Sequence, residues 1–152
     1  MTMDSNTPKP FTIAIVGGGI GGLSTAIGLL HQNIPISIYE SASAFAEIGA
    51  GVSLGPNAAQ AMKLIDPRMF TGFQKCGTNN AWTDRQNFWF SFRRGDAEGA
   101  KASSVGTRFH DLWCSTGQTS VHRARFLDEL IALVPKEVAH FGKRYALLMA
   151  GS

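Results

Sequence analysis

The chain has 152 residues, 44% of them apolar, 16% charged and 17 of them glycine, with 14 basic and 11 acidic side chains for a net charge of +3. That is the length of one ordinary domain, able to bury roughly 70% of its unfolded surface, and with this apolar fraction it excludes global disorder. Residues 1–80 are neutral and the basic excess falls from residue 81 onward, with no run longer than Arg93-Arg94 or Lys143-Arg144, so the clustered footprint of a nucleic-acid binder is missing. Charge is low and glycine high against averages of about 25% and 7%, as expected of backbone that lies close to a covered surface.

Residues 1–10 are polar with two prolines and read as a loose N-terminal arm. The segment from Phe11 to Leu30 carries no charge, which would suffice for a membrane span, but six of its positions are glycine and no basic cluster flanks it. A soluble strand, turn and helix explains it better, and no membrane association is expected. A signal peptide is not expected either, and the lack of targeting signals makes the cytoplasm the default location. Cys76 and Cys114 form no C-x-x-C pair, which favours a reducing compartment.

Phe11 to Val16 is a continuous apolar, β-branched run, the pattern of a central parallel strand covered on both faces. Glycines follow, and then Ile20, Leu23, Ile27 and Leu30 recur at spacings of three and four, predicting a helix from Ile20 to about Asn33. Pro35 breaks it, and Ile36 to Glu40 starts a second strand, completing a βαβ unit. A glycine-rich loop and a short apolar run lead to Pro56 at a helix start, with helix continuing to Ile65 and stopping at Asp66-Pro67. Asn87 to Arg93 and Arg108 to Cys114 read as antiparallel strands around a polar loop. Arg123 to Val134 is helical, and Val138 to Tyr145 looks like one more strand. The fold class is α/β: a Rossmann-like βαβ unit with part of an additional β-sheet.

The sharpest signal is Gly17-x-Gly19-x-x-Gly22, directly after a strand and opening a helix. The three glycines serve a tight turn, close backbone approach to a pyrophosphate, and close packing of helix on strand. The phosphates then rest on the helix N-terminus, where unbonded N–H groups and the dipole favour an anion. Glu40 ends the next strand near the roughly 20-residue spacing at which an acid accepts from a ribose hydroxyl. That acid argues against a 2′-phosphate and so for FAD or NAD over NADP. A glycine-rich turn in an unrelated α/β domain, with Glu40 merely solvated, is the plainer alternative.

The ordered stretches IAIVGGGIGGLSTAIGLL, IYE, EIGAGVSLGPNAAQAMKLI, VHRARFLDEL and HFGKR resemble the N-terminal part of flavin-dependent aromatic monooxygenases, the salicylate hydroxylase-like members most of all. The resemblance runs from about Phe11 to Arg144. It implies that Gly17, Gly19 and Gly22 hold the FAD pyrophosphate and Glu40 the adenosine ribose. It further implies that the loop Gly49-Ala50-Gly51 passes close to FAD, with Ala50 and Gly51 as contacts, and that Arg123 reaches a phosphate or ribose edge. A plain loop turn at 49–51 and a solvated first-turn arginine are the alternatives. The family reaction uses NADH or NADPH and O2 to hydroxylate a small aromatic such as salicylate. A NAD-binding dehydrogenase fragment and a non-catalytic interaction fragment stand as other readings.

Several features are expected to be ordinary. Gly95-Asp96 resembles the Gly-Asp motif of these flavoproteins but sits too early and in a polar loop. His110, Asp111 and Cys114 complete no metal spacing, because alternation along a strand separates the first two. Trp82, Trp89 and Trp113 read as packing residues, and Ser24 lacks a nucleophile-elbow context. Family members continue well past the HFGKR strand, so residues 11–152 are expected to form only part of a FAD-binding domain. On that expectation the chain is incomplete and inactive alone, no catalytic residue can be named, and the oligomeric state is open.

Overall fold

The computed structural model describes residues 9–45, 51–95 and 104–144. The proposed N-terminal arm therefore lies almost wholly outside the described residues, as do Ala50, Asp96 and the chain beyond Arg144. In order the elements are β1 (Ile13–Val16), α1 (Ile20–His31), β2 (Ile36–Tyr39), β3 (Gly51–Leu54), α2 (Pro56–Ile65), α3 (Pro67–Cys76), β4 (Gly77–Asn79), β5 (Phe88–Arg93), β6 (Arg108–Trp113), β7 (Thr119–His122), α4 (Arg123–Ile131) and β8 (Ala139–His140).

β1 and β2 pair in parallel, Ile13 opposite Ile36 and Val16 opposite Tyr39, and β8 adds in parallel on the far side of β2. β1 is thus the outer strand of the described sheet rather than a central one, and Val16 is 68% exposed. Its all-apolar sequence is written for cover on both faces, and among the described residues only one side is covered. The strand expected over 138–145 is only Ala139–His140 among the described residues: a single 3-10 turn takes Lys136–Val138, and residues 141–144 continue without strand pairing.

α1 ends as its sequence dictates. Asn33 takes φ 53, its N–H donates to Leu30 O (3.0 Å), and the Ile34 N–H donates to Leu29 O (3.0 Å), a left-handed closing turn that satisfies the last carbonyls before Pro35. Leu23, Ala26 and Ile27 of α1 are buried against Ile15, Ile36 and Ile38 of the sheet and against Phe126, Leu127 and Leu130 of α4, in one continuous core. α1 also approaches β1 closely at its start. A Cβ on Gly22 would overlap the carbonyl oxygen of Gly17 and lie 3.4 Å from Ile15 Cγ2.

β3, β7 and β4 form a second, antiparallel sheet with β7 in the middle, Gly51 opposite His122 and Gly77 opposite Val121. α3 was not legible as a separate element, because Pro67 reads as a helix stop. In the structure Pro67 is the first residue of the new helix and Asp66 its cap, accepting from the Arg68 N–H at 2.8 Å. The Asp66 side chain is 2% exposed, and its Oδ2 lies 2.6 Å from Arg68 Nη2 and 3.0 Å from His31 Nε2 at the end of α1. This one carboxylate ties the end of α1 to the start of α3. The Arg68 guanidinium holds the Asp66 carboxyl below its ordinary value, against the opposing effect of burial. α3 and α4 meet where Gly72 lets them approach, a Cβ there falling 2.8 Å from Glu129 Cβ, and Lys75 pairs with Glu129 at 2.5 Å.

β5 and β6 form the expected hairpin as a two-stranded sheet of their own. Trp89 packs on Gly55 at the head of α2, its Cζ2 only 2.9 Å from where a Cβ would stand. Trp113 packs edge to face on Phe88, ring centroids 5.3 Å apart, and is 52% exposed, whereas Trp82, 73% exposed, does not pack as expected. Asp111 accepts from Ser91 (2.6 Å) and Arg108 (2.9 Å), which accounts for it without a metal, and no metal-binding group occurs among the described residues.

Two stability outcomes follow. Gly22→Ala should cost at least about 2 kcal/mol in urea unfolding, since backbone must move, whereas Gly21→Ala, whose Cβ meets nothing, should be neutral or stabilise by up to about 1 kcal/mol. Asp66→Ala should cost about 2 kcal/mol at pH 7. Because the folded pKa is lowered, that contribution is complete above the unfolded value of about 3.9 and is lost as pH falls through the folded value. The gap between wild type and variant should therefore close on acidification below pH 4.

Candidate nucleotide-binding site

The site begins where β1 ends. Gly17 has φ +99, a left-handed conformation open to glycine, and its N–H donates to the Tyr39 carbonyl at 2.9 Å. The chain thereby turns across the end of β2 and enters α1. Gly19 is the residue preceding the helix, and its carbonyl accepts from the Leu23 N–H at 2.9 Å. No side chain caps α1 and no acid stands in its first turn. The first N–H groups of α1 consequently have no partner within the helix and carry the positive end of its dipole. Gly17 thus makes the tight turn and Gly22 the close helix-on-strand packing that their spacing predicts.

Glu40 follows β2 and folds back over this turn. Its Oε2 accepts from the Gly18 N–H at 2.7 Å, and its Oε1 accepts from the Ala42 N–H at 2.9 Å and the Ser41 hydroxyl at 3.1 Å. The N–H groups of Ala42 and then Gly18 hold the Glu40 carboxyl below its usual range, outweighing a smaller effect of burial. Ionised, the carboxylate can accept about four hydrogen bonds, and the three made here leave it able to accept from a ligand hydroxyl. The turn is secured from its other side, where the Lys143 N–H donates to Glu40 O and the Gly142 N–H to Ala42 O, both at 2.9 Å.

Of the three remaining sequence-predicted residues Ala50 lies outside the described residues, and Gly51 and Arg123 come together. Gly51 opens β3 opposite His122 of β7, and Arg123 follows His122 directly as the first residue of α4, so both lie at the same end of that ladder. Arg123 is half-buried. Nothing lies within 4 Å of a Cβ placed on Gly51, so this chain's own packing does not require glycine there. α1, β3 and α4 meet around an apolar cavity of about 150 Å³ lined by Ile20, Leu54 and Phe126 among others. A larger cavity of about 680 Å³ at the hairpin end is lined by Arg93, Arg94, Gly95, Ser104, Thr107 and Phe109, and none of the predicted site residues lines it.

Sequence reasoning missed Gly18 and Phe45. Gly18 fills a free position of the fingerprint, yet it is buried and supplies the N–H that Glu40 binds. The run of three glycines was the available signal. Phe45 sits against Gly18, its Cδ1 2.6 Å from the Cβ position and its Cε1 nearer still. Its ring meets Phe141 edge to face with centroids 4.7 Å apart.

No protein-family model matches the chain. It is 52% identical over 134 residues to the 6-methylsalicylate 1-monooxygenase atA of Aspergillus terreus, covering 88% of this chain and 29% of that protein. It is 41% identical over 143 residues to a salicylate hydroxylase of Pseudomonas putida, covering 93% of this chain and 30% of the relative. Among solved structures, Klebsiella pneumoniae HpxO complexed with FAD and uric acid superposes with a TM-score of 0.56 at 21% identity, over 93% of this chain and 33% of that one. The tetrameric form of 2-methyl-3-hydroxypyridine-5-carboxylic acid oxygenase gives 0.61 at 16% identity, over 88% and 32%. The chain spans about 30% of the length of the curated relatives it matches. The chain is thus similar in sequence to the N-terminal portion of FAD-dependent monooxygenases of the salicylate hydroxylase type and shares the Rossmann-like α/β fold of solved FAD-containing oxygenases.

Proposed function

We propose that this chain holds the adenosine diphosphate half of FAD, with residues 11–152 supplying part of a FAD-binding domain. The observation that carries the reading is the join of the uncapped α1 N-terminus to the Glu40 carboxylate through Gly17 and Gly18. One end suits a pyrophosphate and the other a ribose diol. Gly17, Gly19 and Gly22 shape the phosphate turn, Glu40 accepts from the ribose, and Arg123 with Gly51 and Ala50 approach the cofactor from the β3–β7 end. These residue types fit the group: the turn has open space at Gly17 and Gly21, and among the described residues no side chain caps the helix N-terminus.

The activity proposed for the whole protein is hydroxylation of a small aromatic such as salicylate, with NADH or NADPH as reductant and O2 as oxygen source. FAD, when bound, would supply the redox chemistry. The two relatives are named for salicylate-type substrates, which is what supports this reading. A non-catalytic interaction fragment is the second reading, favoured by the exposed aromatic rings of Trp82, Phe109 and Trp113. No described helix is long and apolar enough to cross a membrane.

Calorimetric titration separates these. FAD and ADP should bind within about tenfold of each other, FMN should not bind measurably, and Glu40→Ala should weaken ADP by about 10- to 100-fold. With Glu40 ionised well below neutrality, ADP affinity should show no Glu40-dependent change between pH 8 and pH 5. Binding of FMN in preference to ADP, or ADP affinity unaltered by Glu40→Ala, would contradict the reading.

A further inference from the structure

We infer that Phe45 is a specificity-determining wall of the adenosine end of this site, making position 18 a glycine-only position and offering the nucleoside an aromatic surface beside Glu40. The inference rests on the nucleotide-binding reading above and adds a residue that neither the fingerprint nor the acid rule contains.

The ring and the carboxylate converge on one point. At the position a Cβ would take on Gly18, Phe45 Cδ1 stands 2.6 Å away and Glu40 Oε2 3.3 Å away. A ribose hydroxyl that donates to Glu40 must come within about 3 Å of that carboxylate, which brings the nucleoside into van der Waals reach of the ring. The ring is held in place from three sides. Phe141 packs on it at a 79° interplanar angle, Gly18 closes beneath it, and the Gly142-to-Ala42 hydrogen bond of 2.9 Å fastens its loop to the chain leaving β8. Phe45 nevertheless remains partly exposed. A flat aromatic side chain fixed beside a ribose acceptor suits a planar base, because every base has a π face.

The same geometry explains why the free position of the fingerprint is glycine here. Any side chain on residue 18 would collide with the ring, so the requirement at 18 comes from Phe45 and not from the backbone turn. Position 18 should accept alanine only if residue 45 is made small.

The test is ADP titration of the full chain, with inorganic pyrophosphate followed by NMR as the probe that has no nucleoside. Phe45→Leu keeps apolar bulk against Gly18 but has no π face, and Phe45→Tyr keeps the face. Phe45→Leu should weaken ADP about tenfold and leave pyrophosphate binding unchanged, while Phe45→Tyr should stay within about twofold of wild type for both. Gly18→Ala should lower the unfolding midpoint, and Phe45→Ala in the same chain should restore it. ADP binding by Phe45→Leu as tight as wild type or tighter, or equal loss of ADP and pyrophosphate, would overturn the wall. So would failure of Phe45→Ala to rescue Gly18→Ala. If Glu40→Ala also leaves ADP binding unchanged, the nucleotide-site reading itself has failed; if Glu40→Ala weakens ADP and Phe45→Leu does not, only the wall has.

Discussion

The proposed nucleotide site depends on how closely α1 can approach β1. The absence of a side chain on Gly22 lets the helix start pass against the Gly17 carbonyl. That contact fixes where the first N–H groups of α1 point and lets the turn cross the end of β2, where Glu40 reaches it. The carboxylate then bonds the Gly18 N–H at 2.7 Å, joining β1, α1 and β2 at one point. The proposed ribose acceptor and the proposed anion-binding helix end are thus brought together by packing within the chain. The same closeness aligns Leu23, Ala26 and Ile27 with the sheet, so the core and the site share one constraint.

Local signals carried the first βαβ unit from sequence to structure with little loss. The apolar run ending at Val16, the helical spacing from Ile20, and Asn33 followed by Pro35 each act within a few residues, and each forms its element, although β1 begins at Ile13 rather than Phe11 and is an outer strand of the described sheet. The hairpin and α4 were legible for the same reason, although α4 ends at Ile131, before Pro135. Features set by distant packing were not. Phe45 and Gly18 meet only because the loop after β2 folds back, and Arg123 joins Gly51 only through the β3–β7 register. α3 was hidden by Asp66-Pro67, which serves equally as a helix stop and as a cap followed by a first helical residue. What decides is the burial of Asp66 beside Arg68 and His31, a tertiary fact.

The exposed apolar residues are consistent with the share of its relatives that the chain represents. β1 is written for cover on both faces and has one, and Phe92, Phe109 and Trp113 of the hairpin are 41%, 70% and 52% exposed. Low charge and high glycine, seen at the outset as signs of covered backbone, are explained in part by the turn from Gly17 to Gly22, where backbone meets backbone. Trp89 against Gly55 shows the same economy at the hairpin's attachment. Glycine marks a close approach at Gly18, Gly22, Gly55 and Gly72, whereas a Cβ at Gly17, Gly21 or Gly51 would meet nothing.

The central claim is that α1's start and Glu40 form one nucleotide site, and an amide NMR titration with ADP reads it most directly. The account predicts that the resonances of Gly19, Ile20, Gly21 and Gly22 shift together with those of Ser41 and Ala42, saturating with a single affinity. It also predicts that the Gly18 amide, bonded to Glu40, exchanges slowly with solvent both before and after ADP is added. Shifts confined to the hairpin around Arg93, Arg94 and Phe109, with the glycine turn unmoved, would contradict it.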